Sequence, residues 1–581
     1  MHSGWQKSSR SVALKFIPYS EKKRVDFEII QNAKAQDVGE GTVRRGSATC
    51  PVCGYTTPVA SVRRQIKARR GGAADARLFC VVTTKTGKQG RSYRQLTERD
   101  LKAVRMAEEE LERRKAAHTG PLSLVPDEAY PDETGAGALS SSVLYGLKTW
   151  GDIFTSRQAL ALTTLVKLTA EVRKKLDIET EREFGDAIQT CLALIIDKMA
   201  DKASSICRWK PSAEYMAGNT FSRQALPMVW DFCEANIFGE VTGDIRSEIN
   251  WVVEMISHGA ASISTAGQTV RASSTSSFLP EDAAHAFITD PPYYDAIAYG
   301  DLSDFFYVWL RRTIGYIYPS LFSTNLVDKT DEIVQLSKRF KGPYSHKTRE
   351  YFEAGMKDAM TEGRRVLAPN GLCVVVFAHK STSGWEAMIQ AMIHAGWIFT
   401  GSWPIDTEMG VRMNAMDTAS LASSIHLVCR PREDPSGEVR TDDVGYWSDV
   451  LAELPKRIHA WLPGLAAQGV VGADAIFSCL GPALEIYSRY SRVEKASGEV
   501  VTLKEYLEEV WAAVSREALG MIFEGAGGSG LEEDARLTAM WLWTLSTGGN
   551  GGSFDDHEGD ADEGDEGVSG KGGKMSGFVL E

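Results

Sequence analysis

The stretch Ala286-Phe287-Ile288-Thr289-Asp290-Pro291-Pro292-Tyr293-Tyr294-Asp295 decides how the chain is read. Its first four residues form an apolar, strand-like run. Pro291 and Pro292 end that run, because proline has no N–H for the next rung of a ladder. A residue before proline is held extended, so Asp290 is expected to project from the strand's carboxyl end, with Tyr293 just beyond it. In open α/β sheets that edge is where ligands bind. A carboxylate, a rigid turn with bare carbonyls and an aromatic face together suit a planar ring that carries an amine. The carboxylate and a proline carbonyl accept from the exocyclic NH2, and the ring stacks on tyrosine. The plain alternative is an ordinary strand turn with a surface aspartate.

Working outward, Thr269-Val270-Arg271-Ala272 reads as an edge strand followed by a Ser-rich loop. Residues 301–312 read as a helix whose Phe/Tyr/Trp stripe belongs to a core. Tyr351 to Val366 is helical and is stopped by Pro369-Asn370-Gly371. Leu372-Cys373-Val374-Val375-Val376-Phe377 has the pattern of a fully buried strand in a parallel sheet. A helix from Gly384 to Ala395 and strands near Trp397–Phe399 and Ser424–Cys429 complete a β-α-β-β ending with a reversed last strand.

Asp290-Pro291-Pro292-Tyr293 resembles motif IV of the amino-methyltransferases that use S-adenosylmethionine, specifically the adenine-N6 DNA group. The longer run from Asp290 to Arg312 includes Tyr294-Asp295-Ala296-Ile297 and Asp301-Leu302-Ser303-Asp304-Phe305-Phe306-Tyr307-Val308-Trp309-Leu310. It is similar to the large adenine-specific DNA methylases that carry a DUF1156 domain and a zinc ribbon. The resemblance implies an α/β, Rossmann-like methyltransferase sheet, S-adenosylmethionine as cofactor, and DNA as partner. It implies catalytic roles for Asp290, Pro291, Pro292 and Tyr293 on an adenine flipped out of the duplex. A place in restriction-modification or anti-phage defence follows from the same likeness.

The resembled family also has a Gly-rich cofactor turn, Phe-x-Gly-x-Gly, upstream of its ribbon, and nothing in residues 1–289 matches it. Phe523-Glu524-Gly525-Ala526-Gly527 matches literally, but Leu503 to Ile522 before it reads as a helix where the motif demands a strand. The cofactor-binding residues are therefore unassigned. The expectation is that an upstream segment or a separate chain supplies them, and that the chain is a fragment lacking an amino-terminal part. The alternative function is a catalytically incomplete DNA-binding or assembly subunit. Methylation of RNA or of a protein glutamine ranks lower, since glutamine methylases carry Asn in place of Asp290.

Cys50-Pro51-Val52-Cys53-Gly54-Tyr55 reads as one knuckle of a zinc ribbon, its tight turn aiming two thiolates at one metal. Four ligands are needed and two are present, so Cys50 and Cys53 form an incomplete site. Tight zinc binding is not expected of this chain alone, and zinc would belong to a longer parent. Arg63, Arg64, Lys67, Arg69 and Arg70 follow the knuckle, as a nucleic-acid contact or as a solvated loop.

The net charge of -12 conceals a basic amino terminus: residues 1–120 hold 25 basic and 12 acidic side chains. That balance suits a phosphate-bearing partner. Nine cysteines in mostly apolar contexts point to reduced thiols in a cytoplasmic protein, and no long apolar run suggests a membrane span. At 581 residues, several domains are expected. They are a basic β region with the half ribbon (1–95), a charged helix capped by Thr97 and Asp100 with a linker (96–148), and a helical region (149–260) in which Ser156-Arg157-Gln158-Ala159-Leu160 opens one amphipathic helix, Phe184 to Ala200 reads as another, and Ser222-Arg223-Gln224-Ala225-Leu226 reads as helical scaffolding. The methyltransferase half (261–432), a helical accessory lobe (433–546) and an acidic, Gly-rich disordered linker (547–581) follow.

Overall fold

Val12–Tyr19 (β1) and Arg24–Gln31 (β2) pair as an antiparallel hairpin that sets Phe16 opposite Phe27. Val43–Arg44 (β3), Ser47–Thr49 (β4) and Thr56–Thr57 (β5) make a small antiparallel sheet. Val59–Ala68 (α1), Val81–Lys85 (β6), Lys88–Arg94 (β7) and Glu98–Ala117 (α2) follow. α2 starts where Thr97 and Asp100 close a capping box, which satisfies two backbone N–H groups the first turn leaves open. Ser156–Glu179 (α3), Arg182–Lys202 (α4), Ile245–Ser262 (α5) and Tyr299–Ile314 (α6) complete the helices of a first compact unit. This is a computed structural model; it describes residues 12–522 except 39, 86–87, 132–140, 180, 210–217, 223, 240–242, 263–264, 294–296, 337–343, 378–381, 406–423, 435–436, 468–474 and 476–477.

The aromatic stripe of α6 is core, as its apolar spacing implies. Phe305, Val308 and Trp309 are inaccessible to solvent. Phe154 meets Trp309 edge-on at 5.4 Å, and Phe221 meets Phe305 at 5.2 Å, the offset geometry that aromatic quadrupoles favour. The second Arg-Gln-Ala-Leu segment, expected as helical scaffolding, forms no helix among its described residues. The hydroxyl of Ser142 donates to the Leu226 carbonyl (3.0 Å) and Met228 N–H donates to Ser141 (3.0 Å), so tertiary hydrogen bonds take backbone groups that a helix would use.

The second unit contains Ala284–Thr289 (β8), Arg349–Val366 (α7), Leu367–Phe377 (β9), Thr382–His394 (α8), Trp397–Ile405 (β10) and Ser424–Pro431 (β11). It continues through Val444–Tyr446 (β12), Trp447–Ala467 (α9), Leu480–Ser488 (α10), Arg492–Glu494 (β13) and Leu503–Ile522 (α11). The strand order is β10-β11-β9-β8. β8 and β9 run parallel, while β11 pairs antiparallel with both β9 and β10, so β11 alone is reversed. β9 shows strict alternation instead of burial on both faces: Cys373, Val375 and Phe377 are fully buried, and Val374 and Val376 only partly. Pro369-Asn370-Gly371, expected to lie between helix and strand, sits inside β9, where the register steps from Ala284↔Leu367 to Ala286↔Leu372.

Thr269–Ala272 is not a strand. Val270 is exposed, so the segment lacks the buried face that a sheet strand presents to a core. The segment expected as an accessory lobe shares the sheet's core: Leu454, Ile458, Leu484, Tyr506 and Val510 join the cluster that holds Val375, Phe377, Trp397 and Leu427. No helix among the described residues is long and apolar enough to cross a membrane.

Phe287 anchors β8. Its ring stacks on Trp397 at 6.2 Å and fills the space over Gly363 of α7, where an added Cβ would lie 2.5 Å from the ring. Gly520 of α11 has nothing within 4 Å of the same position. Gly363→Ala should therefore destabilise the protein by ~1–3 kcal/mol through overpacking. Gly520→Ala should stabilise it by roughly 0.5–1 kcal/mol through the helix propensity of alanine. Urea midpoints measure both; a Gly363→Ala midpoint at or above that of the parent would reject the proposed slot for Phe287.

Candidate active site

β8 ends at Thr289, opposite Val375 of β9, so Asp290 is the first residue past the last rung of the parallel pair. Asp290 is exposed, and among the described residues it has no hydrogen-bond or ion-pair partner. Pro291 is buried and Pro292 half-buried, which fixes the turn that presents the carboxylate. The half-buried ring of Tyr293 packs edge-on against Phe377, the last residue of β9, with centroids 5.3 Å apart. Phe377 meets Trp385 in turn at 4.9 Å. The sequence did not single out Phe377 or Trp385 as supports of Tyr293; only the pairing of β8 with β9 brings them there. The peptides that leave β9 and β10 at this same edge, including His379 and Lys380, fall in 378–381 and 406–423, outside the described residues.

β8 pairs with β9 alone, and its other edge carries no strand among the described residues. Ile288, 71% exposed, and exposed Ala286 lie on one face of this uncharged strand. Unpaired N–H and C=O groups along such an edge invite another strand.

Two other acids of the same run have the opposite fate. Asp301 and Asp304 are buried on α6 in the first unit. Asp301 accepts from the Tyr344 hydroxyl at 2.8 and 2.9 Å. Asp304, 1% exposed, accepts from Val327 N–H at 2.8 Å and pairs with Lys329 Nζ at 2.9 Å. Burial pushes the Asp304 carboxyl up to about 6 in spite of the attraction of Lys329. These contacts tie Val327, Lys329 and Tyr344 to α6.

Cys50 and Cys53 do share one tight turn. Cys50 N–H donates to Tyr55 O and Gly54 N–H to Cys50 O, both at 2.9 Å, with Gly54 at φ 75°. N–H groups of Cys53 and Val52, then the Cys53 side chain, stabilise the Cys50 thiolate and lower its pKa. Among the described residues no group of three or more His, Cys, Asp or Glu could hold a metal ion. Cys80 is half-buried just before β6, and burial raises its thiol pKa, which makes it a poor ligand.

The basic run forms α1 and the turn after it rather than a loop. Its cations are largely engaged by the chain. Arg63 lies over the Tyr145 ring at 5.7 Å, Arg64 donates to Ser61, Arg69 pairs with Asp75 at 2.8 Å and Arg70 with Asp152 at 3.2 Å; Lys67 sits exposed in the last helical turn. Lys338-Arg339-Phe340-Lys341, a further candidate DNA contact, Phe523–Gly527 and the acidic tail 547–581 fall outside the described residues.

The folded Asp304 carboxyl takes a proton more readily than the unfolded one. Above about pH 6 both states carry the charge and the burial penalty is fully felt; as pH falls from 6 toward the unfolded value of 3.8, this group's contribution to stability rises. Asp304→Asn should remove that slope, worth on the order of 2–3 kcal/mol between the two limits. Urea midpoints from pH 4.5 to 7.5 test it, and parallel profiles for parent and variant would reject the buried charge as the source. No protein-family model, curated protein or solved structure matches the chain.

Proposed function

We propose that the chain is a module of an S-adenosylmethionine-dependent DNA adenine-N6 methyltransferase, with Asp290-Pro291-Pro292-Tyr293 holding a flipped adenine. One observation carries this reading: a carboxylate with no partner among the described residues, at the carboxyl tip of a parallel strand, beside a braced tyrosine. The order β10-β11-β9-β8 with β11 reversed supports the view that the sheet is half of a Rossmann-like methyltransferase fold. Nine cysteines that are all free thiols suit a cytoplasmic setting.

S-adenosylmethionine, when bound, supplies the methyl group; the described residues include no Gly-rich turn for it. The chain's own residues act on the base. Asp290 and the Pro291 carbonyl accept the two N6 hydrogens and turn the nitrogen lone pair outward. Pro292 keeps that carbonyl in place, and Tyr293, braced by Phe377, stacks on the ring. Catalysis then comes from positioning, with no covalent intermediate. The bare edge of β8 is where a strand leading into the Gly-rich turn would pair, whether from another segment or another chain.

That same open edge favours a second reading, a DNA-binding or assembly subunit without its own cofactor site. Methyl incorporation into adenine-containing DNA separates the two. Under the first reading Asp290→Ala lowers the rate by about 100-fold or more, the scale of one oriented catalytic hydrogen bond. Tyr293→Ala should weaken DNA binding by ~1–3 kcal/mol while Tyr293→Phe leaves it unchanged. Equal rates for parent and Asp290→Ala would exclude the assigned role. No heat of S-adenosylmethionine binding by calorimetry, together with salt-dependent DNA affinity, would establish the subunit reading.

A further inference from the structure

In the first unit, α3, α4 and the turn after α6 border a cleft of about 550 Å³, within the ~300–1,000 Å³ range of small-molecule sites. It shares no residue with the chemistry assigned to β8. Ala170, Arg173 and Lys174 lie at i, i+3 and i+4 on α3, and Arg182 and Asp186 at i and i+4 on α4, so each helix turns one face to the cleft. Tyr316 and Ile317 complete the lining.

Arg173 belongs to the wall. It is 6% exposed; its Nε and Nη2 donate to one Asp186 oxygen at 3.2 and 2.8 Å, and Nη2 also donates to the Arg182 carbonyl at 3.3 Å. A Cβ added at Gly185 would run into this guanidinium, so glycine there gives it room. The pair cancels its own charge and ties α3 to α4. Lys174 and Arg182 differ: both are exposed, and neither has an ion-pair partner among the described residues. Glu181 and Glu183 adjoin Arg182 in sequence but do not line the cleft. Two uncompensated positive charges therefore share one cleft.

Tyr316 supplies an aromatic face. Its hydroxyl donates to Oε1 of Gln189 at 2.8 Å, and Gln189, 1% exposed, donates from Nε2 to the Thr313 carbonyl at 2.8 Å. A buried amide thus pins the hydroxyl while the residue stays 62% exposed, so what it offers a ligand is the face of its ring. A ring held in advance loses less freedom when a ligand stacks on it. We propose that this cleft binds a free nucleoside monophosphate, its base stacked on Tyr316 and its phosphate held by Lys174 and Arg182. A terminal phosphate carries a charge of roughly −1.5 to −2 at neutral pH, which matches the two uncompensated cations, whereas a phosphodiester within a strand carries a single charge. The planar fork of arginine suits two phosphate oxygens, and lysine adds a point charge. Stacking tolerates any base, so the site selects by phosphate and not by base. The proposal is independent of any adenine chemistry at Asp290.

Calorimetry on the full chain tests this with inosine 5′-monophosphate, whose base lacks the exocyclic amine assigned to Asp290. Binding is expected, and salt should weaken it. Lys174→Ala and Arg182→Ala, altered at exposed side chains, should each weaken it about tenfold or more, and Arg182→Lys should recover part of the loss. Tyr316→Ala should weaken it about tenfold, while Tyr316→Phe, which keeps the ring, should cost less than about threefold. Ribose 5-phosphate, which lacks a base, should bind about tenfold more weakly than the nucleotide. A short oligodeoxyinosine without a terminal phosphate should also bind more weakly. Absence of binding, ribose 5-phosphate bound as tightly as the nucleotide, the oligonucleotide bound as tightly or more so, or an affinity untouched by Lys174→Ala and Arg182→Ala would each overturn the proposal.

Discussion

The second unit depends on how β8 is held and how it ends. β9 supplies its hydrogen-bond partners on one side, and the stacking of Phe287 on Trp397 over Gly363 fixes its face toward the core. A one-residue slip would turn Phe287 to solvent and carry the apolar set with it, so register is strongly specified. Pro291 then forbids another rung. Within those limits the chain places Asp290 at the edge of the sheet whatever the rest of the sequence does.

Three of the four acids between residues 290 and 304 show how position decides chemistry. Asp290 meets water at a strand tip and keeps its carboxylate uncommitted among the described residues. Asp301 and Asp304, set by α6 among buried aromatic rings, are spent on Tyr344, Val327 and Lys329. Burying an ionised carboxylate is unfavourable without such partners, so these two acids hold structure together. An exposed carboxylate bears no such penalty and is available to a ligand. The contrast separates a candidate catalytic group from scaffold acids within a single run of sequence.

The amino-terminal region follows the same logic with opposite sign. Its basic excess is visible in composition, yet Arg63, Arg64, Arg69 and Arg70 after the knuckle find partners at Tyr145, Ser61, Asp75 and Asp152. Exposed pairs of this kind are weak, so a polyanion could still compete for the arginines. The knuckle differs: its two cysteines share one tight turn closed by backbone hydrogen bonds from Cys50 to Tyr55 and from Gly54 to Cys50.

Much of the second unit was legible in the chain because its signals are local. Leu503–Ile522 and Arg349–Val366 have apolar residues at helical spacing, the β-branched run before Phe377 reads as strand, and two prolines after Asp290 stop β8 by covalent geometry alone. Side-chain periodicity and missing N–H groups act within a few residues, so they survive without knowledge of the fold. What contacts distant in sequence decide was not legible. Ser141 and Ser142 take the backbone groups of the expected helix near Leu226, and β8 carries Tyr293 to Phe377, more than eighty residues away. Only the tertiary structure also shows that, among the described residues, β8 pairs on one side alone, because strand order is set by long-range hydrogen bonds that no local pattern encodes.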